Sequence, residues 1–330
     1  METITEPSPG GALVVAAVVL HYRNWPGISG CLEALAAQDR HPNRVLVVDN
    51  RSDDGSVAHI RREFQEVEIL ERPSNGGYSS GMNAAIRHLV ANGARPDAVL
   101  LLTHDCHLAH DGLAHLAARM EACPQLGAAG PLLSLHESPG LVYLAGGAID
   151  PRTWDIAHPR TPGPADAGLG LADAWLKRPP QEVTWLDGAC TLLRTSAWEA
   201  VGPLDERFFL YYEDTDYGIR LGTAGWSVEC VPAARAWHSH AKGSAMVSYL
   251  ATRNQLLFAS KHAPAPVTAR LILRHLYRAG RELTSGDRER ARRAGSSLAG
   301  LVDFGLGRAG VPRGRLSGWS RLAGPSDGGP

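Results

Sequence analysis

The chain has 330 residues, of which 44 % are hydrophobic, and its formal net charge is −1. A chain of this length can bury a large core and exceeds the usual size of one domain, so we expect one large domain with an appendage. The nearly balanced charge gives no chain-wide attraction to a polyanion, which argues against a protein that binds nucleic acid through its overall charge.

The cysteines and the apolar stretches indicate the compartment. The five cysteines are scattered and contain no C-x-x-C motif, which is typical of a reducing environment rather than of a disulfide framework. The longest apolar stretch near the start, residues 13–20, is far shorter than the roughly 20 residues that span a bilayer. We therefore expect a cytoplasmic protein without a transmembrane segment, and peripheral contact with the inner face of a membrane stays open.

Short apolar runs alternate with helical patterns in the first part of the chain. Four runs rich in Val, Leu and Ile are too short for helices and predict buried strands, at residues 13–20, 44–48, 67–70 and 98–102. The pattern predicts helices from Pro26, over 76–91 and over 111–121. This alternation indicates an α/β fold, in which helices cover both faces of a parallel sheet.

The second half of the chain is less regular. Residues 151–180 are rich in Pro, Gly and Ala and predict a loop or flap. A strand at 183–193 and a helix starting near Glu213 are expected next, and helical patterns dominate from about residue 245. We expect the two ends of the chain, 1–12 and 311–330, to be disordered.

Polar side chains follow three of the predicted strands. These are His21 and Tyr22 after the first, Asp49 after the second and Asp105 after the fourth. The carboxyl ends of parallel strands meet at one edge of a sheet, where ligands collect in such folds. A carboxylate such as Asp49 can accept a hydrogen bond from a base N–H there, which predicts recognition of a nucleotide.

Residues 103–107 read Thr-His-Asp-Cys-His and contain several potential metal ligands. In an extended segment Asp105 and His107 share one face, while His104 and Cys106 share the other. A structural zinc site is disfavoured because the chain has no second Cys/His pair with suitable spacing. Asp105 at a strand end better suits Mg²⁺ or Mn²⁺ bound to a diphosphate, and a solvated turn is the alternative.

Three more motifs carry potential chemistry. The glycine-rich entry to the helix at 76–91 allows close approach of a phosphate, although a plain turn explains it almost as well. Acids stand beside an aromatic run at the start of the helix near Glu213, where they stabilise the helix dipole or supply a general base. His238 and His240 either complete a metal shell or contact phosphate.

The ordered series of motifs resembles the family 2 glycosyltransferases of the GT-A fold, particularly their rhamnosyltransferase-like branch. The resemblance spans about residues 13–262 and rests on VVLHYRNW, VLVVDNRSDDGS, NGGYSSGMNAAI, LLLTHDCHL, WLDGAC, FFLYYEDTDYGIR and YLATRNQLLFASKH. It implies a catalytic domain over 13–244, with a donor half at 13–110 and an acceptor half at 111–244. A helical region at 245–310 follows it.

The resemblance also implies roles for individual residues. Asp214 falls at the catalytic base, and Asp105, His107 and His238 fall at the metal site for Mg²⁺ or Mn²⁺. The donor pocket is expected to comprise His21, Tyr22, Asp49, Asn75, Gly77, Asn83 and Asp105. The acceptor side is expected to comprise Trp185, Asp187, Gly188 and Glu213, with Trp185 stacking on a sugar face.

The implied activity is the inverting transfer of a sugar, such as rhamnose, from a nucleoside-diphosphate sugar to a hydroxyl acceptor. A TDP- or UDP-sugar is the expected donor, and a glycan, lipid-linked saccharide or natural product the expected acceptor. One alternative is a nucleotidyltransferase that makes activated sugars, for which HYRNWPGISG is a poor phosphate loop. The other is a sugar-binding scaffold of the same fold without catalytic activity.

Overall fold

The structure is a computed structural model that describes residues 11–93, 95–157, 172–239 and 245–312. The strands are β1 (Val15–His21), β2 (Arg44–Asp49), β3 (Glu68–Glu71), β4 (Ala98–Thr103), β5 (Cys106–Leu108), β6 (Leu126–Leu135), β7 (Ser138–Leu144), β8 (Ala148–Ile149), β9 (Ile156–Ala157), β10 (Gln181–Glu182), β11 (Cys190–Arg194) and β12 (Ser227–His238). The helices are α1 (Trp25–Ala36), α2 (Ser56–Glu63), α3 (Gly77–Ala91), α4 (Gly112–Ala122), α5 (Ala172–Leu176), α6 (Thr195–Val201), α7 (Glu213–Thr223), α8 (Ala245–His262), α9 (Ala265–Leu283) and α10 (Arg288–Gly305).

One mixed sheet organises the described residues, in the strand order β10-β12-β6-β11-β4-β1-β2-β3. Strands β3, β2, β1 and β4 run parallel, which confirms the expected α/β arrangement of the first part of the chain. Beyond β4 the sheet becomes mixed, because β11 lies antiparallel between β4 and β6. The strand β12 runs parallel to β6 and also pairs antiparallel with the short β5.

The core lies on both faces of the sheet, as the buried strands predict. On one face of β1, Val19 packs in a cluster with Ile28 of α1 and Leu116 of α4. On the other face, Val18 packs in a cluster with Met82 of α3. Because neighbouring residues of a strand point to opposite faces, one apolar run serves both helical layers.

The second half of the chain differs from the expectation in one strand. The predicted strand at 183–193 is largely wrong, because residues 183–189 form a connection between β10 and β11. Trp185 in this connection makes a single bridge to Gly147 instead of joining the main sheet. Of the predicted loop at 151–180, residues 158–171 lie outside the described part, and the rest includes β9 and α5. The ends 1–10 and 313–330 also lie outside it.

The last described residues form three helices, as expected from residue 245 onward. Leu256 and Ala259 of α8 and Leu271 of α9 form a small core, against which Leu301 and Phe304 of α10 pack. In the described ranges, no helix is both long enough and apolar enough to cross a membrane.

Candidate active site

The predicted polar residues lie where β1, β2 and β4 end. The register pairs His21 with Asp49 at the last positions of β1 and β2. His21 is fully buried, with its Nε2 atom 2.6 Å from the Ser56 hydroxyl, and its ring packs edge-on to that of His104. Burial, aided by His104, lowers the pKa of His21 to about 3. His21 is therefore neutral at physiological pH and packs between Ser56 and His104.

Asp49 is 2 % exposed at the end of β2. Its carboxylate accepts hydrogen bonds from the backbone N–H of Ser52, at 2.9 Å from Oδ2 and 3.2 Å from Oδ1. Burial raises the pKa of Asp49 against the lowering effect of these hydrogen bonds. The loop after β2 thus orients the carboxylate that the resemblance assigns to the nucleotide base.

Asp105 lies in the turn between β4 and β5, beside His238 at the end of β12. The Nε2 atom of His238 is 3.4 Å from Oδ1 of Asp105. Burial acts to raise the pKa of Asp105, but the imidazole outweighs it and the net shift is downward. Burial likewise acts to lower the pKa of His238, and the carboxylate reverses that shift. The two side chains stabilise each other's charged form.

This pair suits a divalent ion. A carboxylate oxygen and an imidazole nitrogen are both ligands of Mn²⁺ and Mg²⁺, and Mg²⁺ sites commonly use only one or two protein ligands together with substrate phosphates. No cluster of three or more His, Cys, Asp or Glu side chains arranged to hold a metal occurs in the described ranges. The remaining ligands would thus come from the substrate and water. His240 lies outside the described residues.

His107 lies apart from this pair. Its ring packs against Gly30 of α1, where an added Cβ would lie within 3 Å of the imidazole, and makes an edge contact with His136 at 4.5 Å between ring centroids. Burial, with a contribution from His136, lowers the pKa of His107. Of the histidines predicted as metal ligands that the structure describes, His107 and His238, only His238 contacts the Asp105 carboxylate.

A second group of acids lies at the start of α7. Asp214 accepts hydrogen bonds from the N–H of Thr215 at 2.6 Å and from the N–H of Gly188 at 3.4 Å. The 187–189 loop therefore contacts the first turn of α7. Burial and the neighbouring Asp187 raise the pKa of Asp214 to about 7. A carboxylate with a pKa near the working pH is well suited to accept a proton.

Glu213 and Asp187 flank Asp214. Glu213 is 4 % exposed, and burial together with the charge of Asp214 raises its pKa well above the usual range. The charge of Asp187 acts both on Asp214 and on His238. Asp187 thus lies within electrostatic reach of both Asp214 and the Asp105–His238 pair.

Trp185 does not have the geometry expected for stacking on a sugar. Its side chain is 5 % exposed and belongs to the core, and its indole covers Gly147 so closely that no Cβ would fit there. Gly188 lies in the same loop, and the Tyr78 hydroxyl donates to its carbonyl at 2.7 Å. Trp185 and Tyr78 therefore anchor the loop that carries Asp187.

Hydrogen bonds from two asparagine side chains hold the glycine-rich start of α3 and connect it to the loop before α7. Asn75 accepts a hydrogen bond from the N–H of Gly77, which has φ +82°. Asn83 is fully buried and holds Leu204, accepting from its N–H and donating to its carbonyl, both at 2.9 Å. Asn83 therefore binds the loop before α7.

Tyr22, the residue directly after β1, is half-exposed, and the Arg23 guanidinium lies over its ring.

Residues 9–256 match the family model described as glycosyltransferase like family 2. The chain belongs to this glycosyltransferase family. A relative from Mycobacterium tuberculosis, N-acetylglucosaminyl-diphospho-decaprenol L-rhamnosyltransferase, is 29 % identical over 270 residues, covering 76 % of this chain and 85 % of the relative. The predicted family and its rhamnosyltransferase-like branch are thereby confirmed.

Solved glycosyltransferase structures share the fold. The mannosyltransferase PcManGT from Pyrobaculum calidifontis, in complex with GDP-Man and Mn²⁺, aligns with a TM-score of 0.55 and 17 % identity over 92 % of this chain and 90 % of its own. S. aureus TarS 1-349 in complex with UDP-GlcNAc aligns with a TM-score of 0.52 and 15 % identity, over 88 % and 81 %. The predicted GT-A fold of this glycosyltransferase is confirmed.

Sequence reasoning missed how the glycosyltransferase holds the loop before α7. Phe209, Tyr211 and Tyr212 all have positive φ angles, of 64°, 71° and 72°. Such angles cost a non-glycine residue roughly 1–2 kcal/mol. The Asn254 amide of α8 donates to the carbonyls of Phe208, Leu210 and Tyr211 at 2.7–2.8 Å. These bonds hold the strained loop that positions Asp214.

A buried ion cluster makes a second connection between α7 and α8. Asp216 is fully buried and lies 2.6 Å from the Lys261 ammonium and 2.7 Å from His262 Nε2. Arg220, one turn along α7, is 3.6 Å away. Asp216 therefore faces α8 and serves the packing of the two helices, which leaves Asp214 as the acid directed at the 187–189 loop.

Proposed function

We propose that this glycosyltransferase transfers a sugar from a nucleoside-diphosphate sugar to a hydroxyl acceptor with inversion of the anomeric centre, using Asp214 as general base. The observation that carries this proposal is the position of Asp214 at the start of α7, beside the 187–189 loop, with a pKa of about 7. In the reaction, Asp214 takes the proton of the acceptor hydroxyl. The acceptor oxygen forms a bond to the anomeric carbon, and the bond from that carbon to the diphosphate oxygen breaks.

Asp105 and His238 would hold Mg²⁺ or Mn²⁺ at the other side of the crevice. The ion, when bound, supplies positive charge that stabilises the departing nucleoside diphosphate. Asp105 is ionised over the whole physiological range, because His238 lowers its pKa. The Mn²⁺ complex of PcManGT, which shares the fold, supports a divalent metal here.

Asp49 would recognise the nucleotide base, and the loop around Asp187 and Gly188 would contact the acceptor. The mycobacterial relative is named for a rhamnosyl donor and an acceptor sugar on decaprenyl diphosphate. We therefore favour TDP- or UDP-linked deoxysugars as donors and a lipid-linked saccharide as acceptor. A cytoplasmic site of action follows from this proposal, since activated sugars are made there.

Donor turnover with and without a chelator tests the proposal. Release of nucleoside diphosphate from TDP-rhamnose, UDP-GlcNAc and GDP-mannose should be measured with N-acetylglucosaminyl-diphospho-polyprenol as acceptor, with Mn²⁺ or with EDTA. We expect one preferred donor, loss of turnover in EDTA and a product of inverted anomeric configuration by NMR. Release of pyrophosphate from a nucleoside triphosphate and a sugar phosphate would instead identify a nucleotidyltransferase. Binding of a donor without turnover would identify a sugar-binding scaffold.

A further inference from the structure

Helix α9 has one buried side and one exposed apolar side. Leu271 and Ala279 are buried, and Leu271 packs in the small core formed with α8. On the opposite side, an apolar stripe is open to solvent. Its members Leu273, Leu276, Tyr277 and Leu283 are 67 %, 47 %, 66 % and 50 % exposed. Their spacing of three, four and ten residues from Leu273 places them on one face of the helix.

A row of arginines runs beside the apolar stripe. Its members Arg270, Arg274, Arg278 and Arg281 follow one another at intervals of three or four residues, so they line one flank of the helix. Arg274 pairs with Asp155, and Arg281 lies over the Tyr277 ring at 6.0 Å. Arg278 and Arg281 make no ion pair with any residue in the described ranges. Two cations next to the apolar stripe are therefore available to an external anion.

The positive charge is local to this region. Residues 265–293 contain eight arginines and three acidic residues, a formal charge of +5, whereas the whole chain carries −1. The basic segment includes the start of α10, where Arg288 and Arg292 are exposed. The surface thus combines exposed apolar side chains with a local excess of positive charge, whereas the rest of the chain is net negative.

We propose that the α9 surface, defined by the apolar stripe and the arginine row, docks the protein on an anionic phospholipid bilayer. An amphipathic helix with Leu and Tyr on one face and arginines beside them lies in the plane of a membrane interface, with its apolar face in the headgroup region. The arginines complement the negative surface of the cytoplasmic leaflet. A second copy of the chain complements this surface poorly, because a symmetric contact would bring two arginine rows together.

This inference concerns the C-terminal helices and is independent of the proposed sugar transfer. It gives a physical reason for the enzyme to meet a lipid-linked acceptor at a membrane surface. The test measures lipid binding without donor or acceptor, so its failure would leave the proposed reaction unaffected.

Cosedimentation of the full chain with vesicles tests the proposal. Vesicles of phosphatidylcholine alone should be compared with vesicles containing roughly one third phosphatidylglycerol, at low and high salt. Each arginine near an anionic surface contributes about fivefold in affinity, so Arg278→Gln/Arg281→Gln should weaken binding by at least tenfold. The matched control Arg61→Gln/Arg62→Gln removes the same charge from the exposed arginines of α2 and should bind like the wild type.

A second pair of variants tests the apolar stripe. Leu276→Ser should weaken binding severalfold, while Leu141→Ser, at a leucine of similar exposure in β7, should not. Absence of binding, or equal binding to neutral and anionic vesicles, would overturn the proposal. So would a dimer in sedimentation equilibrium that Leu276→Ser dissociates while vesicle binding is absent, because the surface would then be an interface between copies.

Discussion

The Nε2 atom of His238 lies 3.4 Å from Oδ1 of Asp105, and the antiparallel pairing of β12 with β5 is what brings them together. In that pairing His238 is opposite Cys106, the residue that follows Asp105. The end of the longest described strand is therefore placed at the edge where the parallel strands end. One strand pairing thus brings together two side chains from distant parts of the sequence.

We expect His238→Ala to weaken metal binding selectively. Removal of the imidazole takes away one protein ligand, so the Mn²⁺ concentration for half-maximal turnover should rise by about tenfold or more. His107→Ala should leave that concentration unchanged, since the His107 ring packs on Gly30 and His136. A Mn²⁺ titration of activity for both variants makes the measurement. The reverse pattern would assign the second ligand to His107.

Asp214→Asn should abolish most of the chemistry while it preserves the fold. The amide keeps the shape of the side chain but cannot accept the acceptor proton, so turnover should fall by roughly 10²–10⁴-fold. Donor affinity, measured by calorimetry with nucleoside diphosphate and Mn²⁺, should stay within about twofold of the wild type. The exposed Asp173→Asn in α5 is a matched control with expected normal turnover. A normal rate in Asp214→Asn would contradict the assignment of the base.

The pKa of Asp214 predicts the acidic limb of the pH profile. A base acts only when it is deprotonated, so kcat should rise up to a pH of about 7 and then level off. Asp187→Asn removes a negative neighbour, which should lower the pKa of Asp214 and move the inflection to lower pH. Profiles of both proteins at saturating donor measure the shift. An unchanged inflection would show that Asp187 does not influence the base.

The same pKa predicts an effect on stability. The pKa of Asp214 in the folded state lies above its ordinary value of about 4, so the folded state binds more protons than the unfolded state between about pH 4 and 7. Its contribution to stability is therefore lost as the pH rises through that window. Asp214→Asn cannot ionise and should melt at a higher temperature than the wild type at pH 8, which calorimetry can measure. A lower melting temperature would contradict the raised pKa.

Asn254→Ala should release the loop before α7. The substitution removes the Asn254 donor from the carbonyls of Leu210 and Tyr211, whereas the Phe208 carbonyl keeps its bond from Arg253. We expect a loss of roughly 1–3 kcal/mol in the free energy of unfolding. The turnover number should fall as well, because the loop leads directly into Asp214. Asn92→Ala, at an exposed helix end, is the matched control and should change stability by less than about 0.5 kcal/mol. Normal turnover in a folded Asn254→Ala would show that the loop keeps its shape without the amide.

The sequence predicted the first half of the fold well because its signals are local. The strands β1, β2 and β4 are dominated by apolar runs. The first turn of α1 contains Pro26 and follows Asn24, whose side chain caps the helix. No prediction was made for β6, whose LGAAGPLLSL mixes glycine and proline with apolar residues. Its identity as a central strand depends on pairing with β11, β12 and β7, which are distant or irregular partners.

The candidate site likewise combines residues that local sequence predicts with residues that only long-range contacts identify. Asp49 and Asp105 were predicted from their positions after buried strands, whereas the choice of Asp214 among three neighbouring acids rested on family resemblance. The structure separates those acids by their contacts: Asp216 faces Lys261 and His262, and Asp214 faces Gly188. The support from Asn254 could not be predicted from local pattern, because its three acceptors are carbonyls in a different segment.

The bonds from Asn254 also determine which parts of this enzyme can be exchanged with those of a relative. A chimera joined after β12 would take α8 from one parent and the strained 208–212 loop from the other. The Asn254 amide and its three acceptor carbonyls would then come from different parent proteins. Their distances and angles would form hydrogen bonds only if the two parents happened to place them alike. A junction in the connection between α8 and α9, after His262, takes the amide and its acceptors from one parent. A chimera of this chain should therefore keep the shape of the 208–212 loop when the junction lies beyond that point, provided that its new helices match the core surface of α8.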